Sequence, residues 1–299
     1  MELTAQADLE KKNAALSSVV AAVILTTFKI IVGVLTGSLG ILAEAAHSSL
    51  DLIAALVTFL AVRLSGKPAD AEHRYGHGKI ENLSALFETL LLLGTCVWII
   101  SEAVQRLFFK TVDIEVSVWS FLVMAVSIVI DFTRSRVLYQ AAKKHNSQAL
   151  EADALHFSTD IWSSSVVILG LIGVLISERI GGLGFLKQAD AVAALGVALI
   201  VVYVSIELGI RTVRALLDTA PQGAVEKIKA VVESVPGVID CHHIRIRPSG
   251  PSYFIDVHIL VDGSWTLDQV HHLTEQIEEK IQLQMPDTDI TVHPEPVTT

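Results

Sequence analysis

Two short stretches carry residue types from which a metal site can be built. The first, AEAAHSSLD, places His47 four residues before Asp51; the second, DALHFSTD, places His156 four residues before Asp160. Positions i and i+4 share one face of a helix, so each stretch would present an imidazole beside a carboxylate. Two such faces meeting would supply two neutral imidazole nitrogens and two carboxylate oxygens, a tetrahedral set that suits a borderline divalent ion such as zinc. Both stretches lie inside long apolar runs, where polar groups are expensive. A single His in an apolar helix is ordinarily a hydrogen-bonded packing residue. The same His and Asp spacing occurring twice at membrane depth points instead to a functional pair.

The elements that must position these residues are membrane spans. The chain has 299 residues, 52% of them hydrophobic and only 18% charged, with mean hydropathy +0.55. That composition excludes one soluble domain of this length and fits a membrane protein with a soluble appendage. A formal net charge of -10, with no basic stripe, argues against a nucleic-acid partner. The two cysteines, Cys96 and Cys241, allow no disulfide framework and no paired-cysteine metal site, and the tail is expected to face a reducing cytosol. The polar start, Met1 to Lys12, lacks the pattern of a secretory signal, so the first apolar run is expected to remain as a span.

Six apolar runs precede the tail, at about 16–35, 39–64, 83–109, 116–139, 150–176 and 191–210. An even number leaves both termini on one side. Lys11, Lys12, Arg63, Lys67, Arg74, Lys79, Arg134, Arg136, Lys143, Lys144, Arg211 and Arg214 flank the spans on that side, against Lys110, Arg179 and Lys187 on the other. The excess of positive residues is expected to place both termini in the cytoplasm. Lys29, Glu88, Asp131 and Asp190 are further polar residues in or near the spans, read as pairing, snorkelling or capping groups.

After Pro221 the composition becomes that of a soluble domain. Helical periodicity over 223–235, strand patterns over 238–247 and 253–261, a helix over 267–283 and a short strand over 290–293 give the order αββαβ. This predicts two helices on a three-stranded sheet. Leu267, Val270, Leu273, Ile277 and Ile281 are expected on the buried side of the second helix. The fold class is therefore an all-α six-helix membrane bundle over residues 1–215 with a small cytoplasmic α+β domain over 216–299.

Two more groups have ligand spacing. The loop after the second span holds Asp70, His73 and His77 among flanking glycines. The tail holds six of the eleven histidines, His242, His243, His258, His271, His272 and His293, with Glu295 close after the last. In the second strand His258 points away from the apolar face. His242 shares parity with Ile244 and Ile246, which would turn it inward.

With these residues in view the chain resembles the cation diffusion facilitators, membrane exporters of divalent transition metals, over nearly its whole length. The resemblance implies that His47, Asp51, His156 and Asp160 form a transport site between the second and fifth spans. It implies a loop site at Asp70, His73 and His77, and a tail site of the metallochaperone-like (ferredoxin-like) cytoplasmic domain at His242, His258, His271, His293 and Glu295. Lys79 and Asp218 fall where members have a salt bridge that helps lock a homodimer. Glu295 stands where related bacterial members have Asp, and residues 141–147 lack the His-rich insertion of many eukaryotic zinc exporters.

The implied function is efflux of zinc, or another divalent transition metal, from the cytoplasm in exchange for protons by alternating access. The partners are metal ions, protons, the lipid bilayer and a second copy of the chain. An intramembrane metalloenzyme would need an open coordination position and a general base; no HExxH motif is present. A metal-responsive sensor or receptor without transport is the alternative, and flux separates it from an exporter. A channel fits poorly with a four-ligand site that would hold its ion.

Overall fold

Six long helices form the first part of the molecule, and they follow the six apolar runs in order. The computed structural model describes residues 2–108, 118–180 and 186–297. The helices are α1 (Glu2–Thr36), α2 (Leu39–Ser65), α3 (Lys79–Phe108), α4 (Val118–His145), α5 (Gln148–Ile180) and α6 (Leu186–Leu216). Among the described residues, four stretches are long and apolar enough to cross a membrane: Gln6–Thr36, Leu39–Ser65, Lys79–Gln105 and Ala194–Leu216. In a bilayer a helix satisfies its own backbone hydrogen bonds, which is why such runs take this form. Lys110 lies outside the described residues, as does the side chain of Asp190.

Short turns force neighbouring helices to run antiparallel. Gly37 takes φ 66° between α1 and α2, and the Ser38 side chain caps α2 by accepting from the Ile41 amide at 3.4 Å. Asn146, at φ 49°, turns α4 into α5. The most extensive helix contacts are α1 on α2, α3 on α6 and α4 on α5. α5 also touches α2, α3 and α6, so the second His and Asp pair lies on the most shared helix of the bundle. Its close neighbours are small: Ala55, Ala142, Ala149 and Ala154 pack with Leu138, Leu150 and Phe157, letting helix backbones approach.

The second part contains α7 (Ala224–Glu233), β1 (Asp240–Ser249), β2 (Ser252–Asp262), α8 (Leu267–Gln284) and β3 (Thr288–Val297). The sheet order is β1-β2-β3, with β1 antiparallel to β2 and β2 parallel to β3. One sheet face carries Cys241, Ile246, Ile255, Val257, Ile259 and Val261 against Ile228 and Val232 of α7 and Leu273, Ile277 and Ile281 of α8. Leu267, expected on the buried side, is 85% exposed. It follows the capping residue Thr266 at the very start of the helix, ahead of the turns that reach the sheet.

The first strand differs from its expected parity for a definite reason. Pairing runs in register from Asp240 to His242, then shifts before Arg245, and His243 sits at φ 48°. Such a bulge inserts an extra residue and reverses which side chains face the core. Cys241 and Ile246 are therefore both buried while His242 and His243 face outward. The inward orientation expected for His242 is corrected accordingly.

The two parts touch through a backbone seam. Lys79 Nζ lies 2.8 Å from Asp218 Oδ1, and the Gly250 amide donates to Asn82 Oδ1 at 3.0 Å. Gly250 has φ +60°, and a Cβ there would stand 2.6 Å from the Gly78 carbonyl oxygen. Gly250→Ala should therefore lower the thermal midpoint of the detergent-solubilised chain by several degrees, consistent with a cost of about 1–3 kcal/mol. Gly94→Ala is the control, since its Cβ meets nothing within 4 Å, and it should leave the midpoint nearly unchanged or raise it.

Candidate metal centre

The α2 and α5 stretches meet, and their four side chains converge. His156 Nε2 lies 3.2 Å from Asp51 Oδ1 and 3.7 Å from Asp160 Oδ2. His47 Nε2 lies 3.8 Å from Asp51 Oδ1 and 3.9 Å from Asp160 Oδ1. Ligand atoms about 2.0–2.1 Å from a tetrahedral ion are separated by about 3.3 Å; His47, Asp51 and Asp160 place donor atoms within 4.8 Å of one another, and His156 lies against both carboxylates. The donor chemistry fits as well, since two imidazoles and two carboxylates together neutralise a divalent charge. The side chains of His156, Asp51 and Asp160 are 7%, 11% and 18% exposed, against 36% for His47. The cluster is thus most open on its His47 side.

The remaining polar residues near the bundle centre have partners. Lys29 Nζ lies 3.3 Å from Glu44 Oε2 and donates to Ser48 Oγ at 2.8 Å. Arg134 lies 3.3 Å from Asp131, donates to Ser18 at 3.1 Å and covers the Phe157 ring at 3.4 Å. Ser18 in turn donates to Asp153 Oδ2 at 3.3 Å. Among the described residues, two carboxylates keep a buried oxygen without a hydrogen-bond partner, Asp153 at Oδ1 and Glu88 of α3 at Oε2, and Glu88 Oε2 lies 3.9 Å from His156 Nδ1.

The loop brings Asp70, His73 and His77 together. His73 Nδ1 is 3.5 Å from Asp70 Oδ1 and His77 Nε2 is 3.4 Å from Asp70 Oδ2. The Asp70 carboxylate also accepts the amide of His73 at 2.7 Å and that of Glu72 at 3.0 Å. The His73 amide bond comes first among the causes that hold the Asp70 carboxyl below its usual range. It therefore stays an anionic donor in mildly acid conditions.

The tail builds a larger cluster on the outward face of its sheet. His242 and His258 pair across β1 and β2, while His258 and His293 pair across β2 and β3. His258 Nδ1 is 2.8 Å from Glu295 Oε1, His242 Nε2 is 3.4 Å from Glu295 Oε2, and His293 Nε2 is 3.8 Å from Glu295 Oε1. Two triads with metal-ligand spacing result, His242, His243 and His258, and His258, His293 and Glu295. The hydrogen bond from His258 is the leading cause that holds the Glu295 carboxyl below its usual range. The carboxylate therefore stays an anionic neighbour of these imidazoles in mildly acid conditions.

His271 does not join this cluster within one chain. It lies on α8 with Nε2 3.5 Å from Glu275, and the helix packs on the opposite sheet face through Leu273, Ile277 and Ile281. His243, which the family resemblance did not include, stands beside His242 and His258 because of the bulge. One buried acid was not singled out from the sequence. Glu81 accepts Lys11 at 3.0 Å and Ser65 at 2.9 Å and is also bonded by Ser147, joining α1, α2 and the α4–α5 turn.

The sequence matches the model of the cation efflux transmembrane domain over residues 15–217 and that of the cation efflux protein cytoplasmic domain over residues 220–297. The chain belongs to the cation efflux family, the cation diffusion facilitators. Its members are transporters rather than enzymes. The chain is 35% identical to the cation-efflux pump FieF of Yersinia enterocolitica, over 95% of this chain and 92% of that protein. Identity to the FieF of Citrobacter koseri is 33%, with the same coverage of 95% and 92%. A solved structure of CzrB in its zinc form is 26% identical, covers 26% of this chain and 89% of its own, and has a TM-score of 0.25.

The tail geometry separates two residues that spacing alone treats alike. His258 belongs to both triads and His271 to neither. His258→Ala should weaken zinc binding to the tail by roughly tenfold or more, whereas His271→Ala should change it less than about twofold. Calorimetric titration of the full chain carrying Asp51→Ala reads this directly. Equal losses in the two variants would show that α8 supplies a ligand.

Proposed function

We propose that the chain exports zinc from the bacterial cytoplasm across the inner membrane in exchange for protons. The observation that carries this reading is the convergence of His47 and Asp51 with His156 and Asp160 between α2 and α5. Two imidazoles and two carboxylates favour zinc by geometry and donor type. The pump relatives support the outward direction.

The chemistry of the donors couples metal to protons. Each imidazole must be neutral to ligate, so an ion arriving from the cytoplasm displaces protons from His47 and His156. When the helices rock and expose the site to the other side, protons compete for the same nitrogens and favour release. Return of the protonated site completes the exchange. His47, the most exposed ligand, is the first to meet either traffic. Residues 1–215 carry this cycle, and residues 216–299 sense the cytosolic metal level.

The loop site and the tail site are regulatory in this reading. Zinc held by the tail would favour the competent homodimer by mass action. The Lys79 and Asp218 pair, 2.8 Å apart, ties the start of α3 to the segment after α6 and steadies the dimer arrangement. The basic residues around Lys11, Arg63 and Lys143 support termini in the cytoplasm.

The test is zinc flux into proteoliposomes with and without an imposed proton gradient. The intact chain should show gradient-driven flux. Asp51→Ala and His156→Ala should each reduce it by about 100-fold or more while the purified variants keep their helical content. Tight zinc binding without flux would instead identify a sensor, and unchanged flux in Asp51→Ala would remove the transport site from this position.

A further inference from the structure

We infer that Glu88 is a positioning residue for the transport site, fixing the His156 ring so that Nε2 faces the metal. The inference rests on the transport-site reading and goes beyond its four ligands. Its basis is a pair of buried atoms that face one another without partners. His156 Nδ1 and Glu88 Oε2 are both buried and lack a hydrogen bond, and they lie 3.9 Å apart. A buried polar atom left unpaired is destabilising, so two such atoms at this distance define a bond that closes with a shift below about 1 Å.

The two imidazoles of the site differ in what their outer nitrogen can find. The His47 side chain is 36% exposed, so water can serve its second nitrogen. The His156 side chain is only 7% exposed and needs a partner from the protein. Glu88 is fully buried on α3, and its other oxygen is already held by Thr58 Oγ1 at 3.0 Å. That bond anchors the carboxyl to α2 and leaves Oε2 aimed at the ring. Asp153, one turn earlier on α5, accepts from Ser18 of α1 through Oδ2 and also keeps a buried Oδ1 without a partner, but Glu88 is the carboxylate that stands 3.9 Å from His156 Nδ1.

The chemical consequence is a fixed tautomer. A proton on Nδ1 donated to Glu88 leaves the Nε2 lone pair free for the ion beside Asp51 and Asp160. Without Glu88 the ring can rotate, or carry its proton on Nε2, and the site loses one preset ligand. An outer partner of a metal-bound histidine is commonly worth 10–100-fold in metal affinity.

The experiment uses the full chain with the other two sites disabled by Asp70→Ala, His258→Ala and Glu295→Ala, and cobalt(II) as the probe. Binding is read from the visible absorption of the tetrahedral ion, and zinc affinity from its displacement. Glu88→Leu should lower affinity 10–100-fold and weaken the tetrahedral band. Glu88→Gln keeps an accepting oxygen and should stay within about fivefold of the parent. In a His156→Ala background, Glu88→Leu should cause no further loss, because Glu88 acts only through that ring. A further loss in that background, or full affinity in Glu88→Leu alone, would overturn the inference. Thr58→Val, which frees the carboxyl without removing it, should give a smaller loss in the same direction, and a loss as large as that of Glu88→Leu would point to disturbed packing instead. Asp51→Ala keeps the two readings apart: if it binds cobalt as tightly as the parent, the transport site itself is misplaced, whereas lost binding there with intact binding in Glu88→Leu sinks the positioning role alone.

Discussion

The approach of Asp51 to His156, 3.2 Å across the α2–α5 contact, is the constraint on which the bundle depends. Neither group is at home among apolar helices, and a carboxylate or imidazole left alone there would cost several kcal/mol. Placing each pair on one helix face and turning the two faces together lets four expensive groups share one another's charge. The arrangement is only partly satisfied by itself, with the other three ligand distances at 3.7–3.9 Å. A divalent ion or added protons would complete it, and either occupant makes the other less favourable. Competition between metal and protons would follow from such a donor set before any helix moves.

Such a site works only if the helices around it are held by other means. The bundle provides these in polar contacts that run between helices rather than along them. Lys29 of α1 reaches Glu44 and Ser48 of α2, and Arg134 of α4 reaches Ser18 of α1, which reaches Asp153 of α5. Lys11 of α1 meets the fully buried Glu81 of α3. Each of these charges meets an opposite charge or a hydroxyl, as burial in a membrane protein demands. Asp153 and Glu88 each keep one buried oxygen unpartnered, and that of Glu88 lies 3.9 Å from the ring of His156.

Much of this was legible in the sequence, because the membrane simplifies the reading. Six apolar runs gave six helices in order, since no other open-chain element satisfies its backbone in lipid. The i, i+4 spacing put each His beside its Asp for the same reason that any helix does. The tail order αββαβ followed from periodicity and from the turn residues Pro236, Gly237 and Gly250. The failures share a cause, which is that local pattern carries no information on distant partners. A bulge at His243 reversed the face of β1, so His243 entered the tail cluster and His242 did not point inward. Glu88 offered only a lone acid in an apolar run, and its meaning came from a ring that lies 68 positions along the chain and meets it only through packing.

The third helix is where the separate sites come closest to one another. Its first residue, Lys79, pairs with Asp218 at the root of the tail, and Asn82, one turn on, accepts the Gly250 amide from the β1–β2 turn. Just before it, Tyr75 of the metal-ligand loop sits edge-on to Phe254 at 5.2 Å, with the Arg247 guanidinium 3.8 Å over its ring. Arg247 and Phe254 are paired residues of β1 and β2, the same two strands that carry His242 and His258 at their other ends. A hydrogen-bonded strand pair is stiff along its length, so the tail cluster and the loop rest on one rigid element. Farther along α3, Glu81 holds α1 and Glu88 faces His156. α3 thus meets both the root of the tail and the ring of His156.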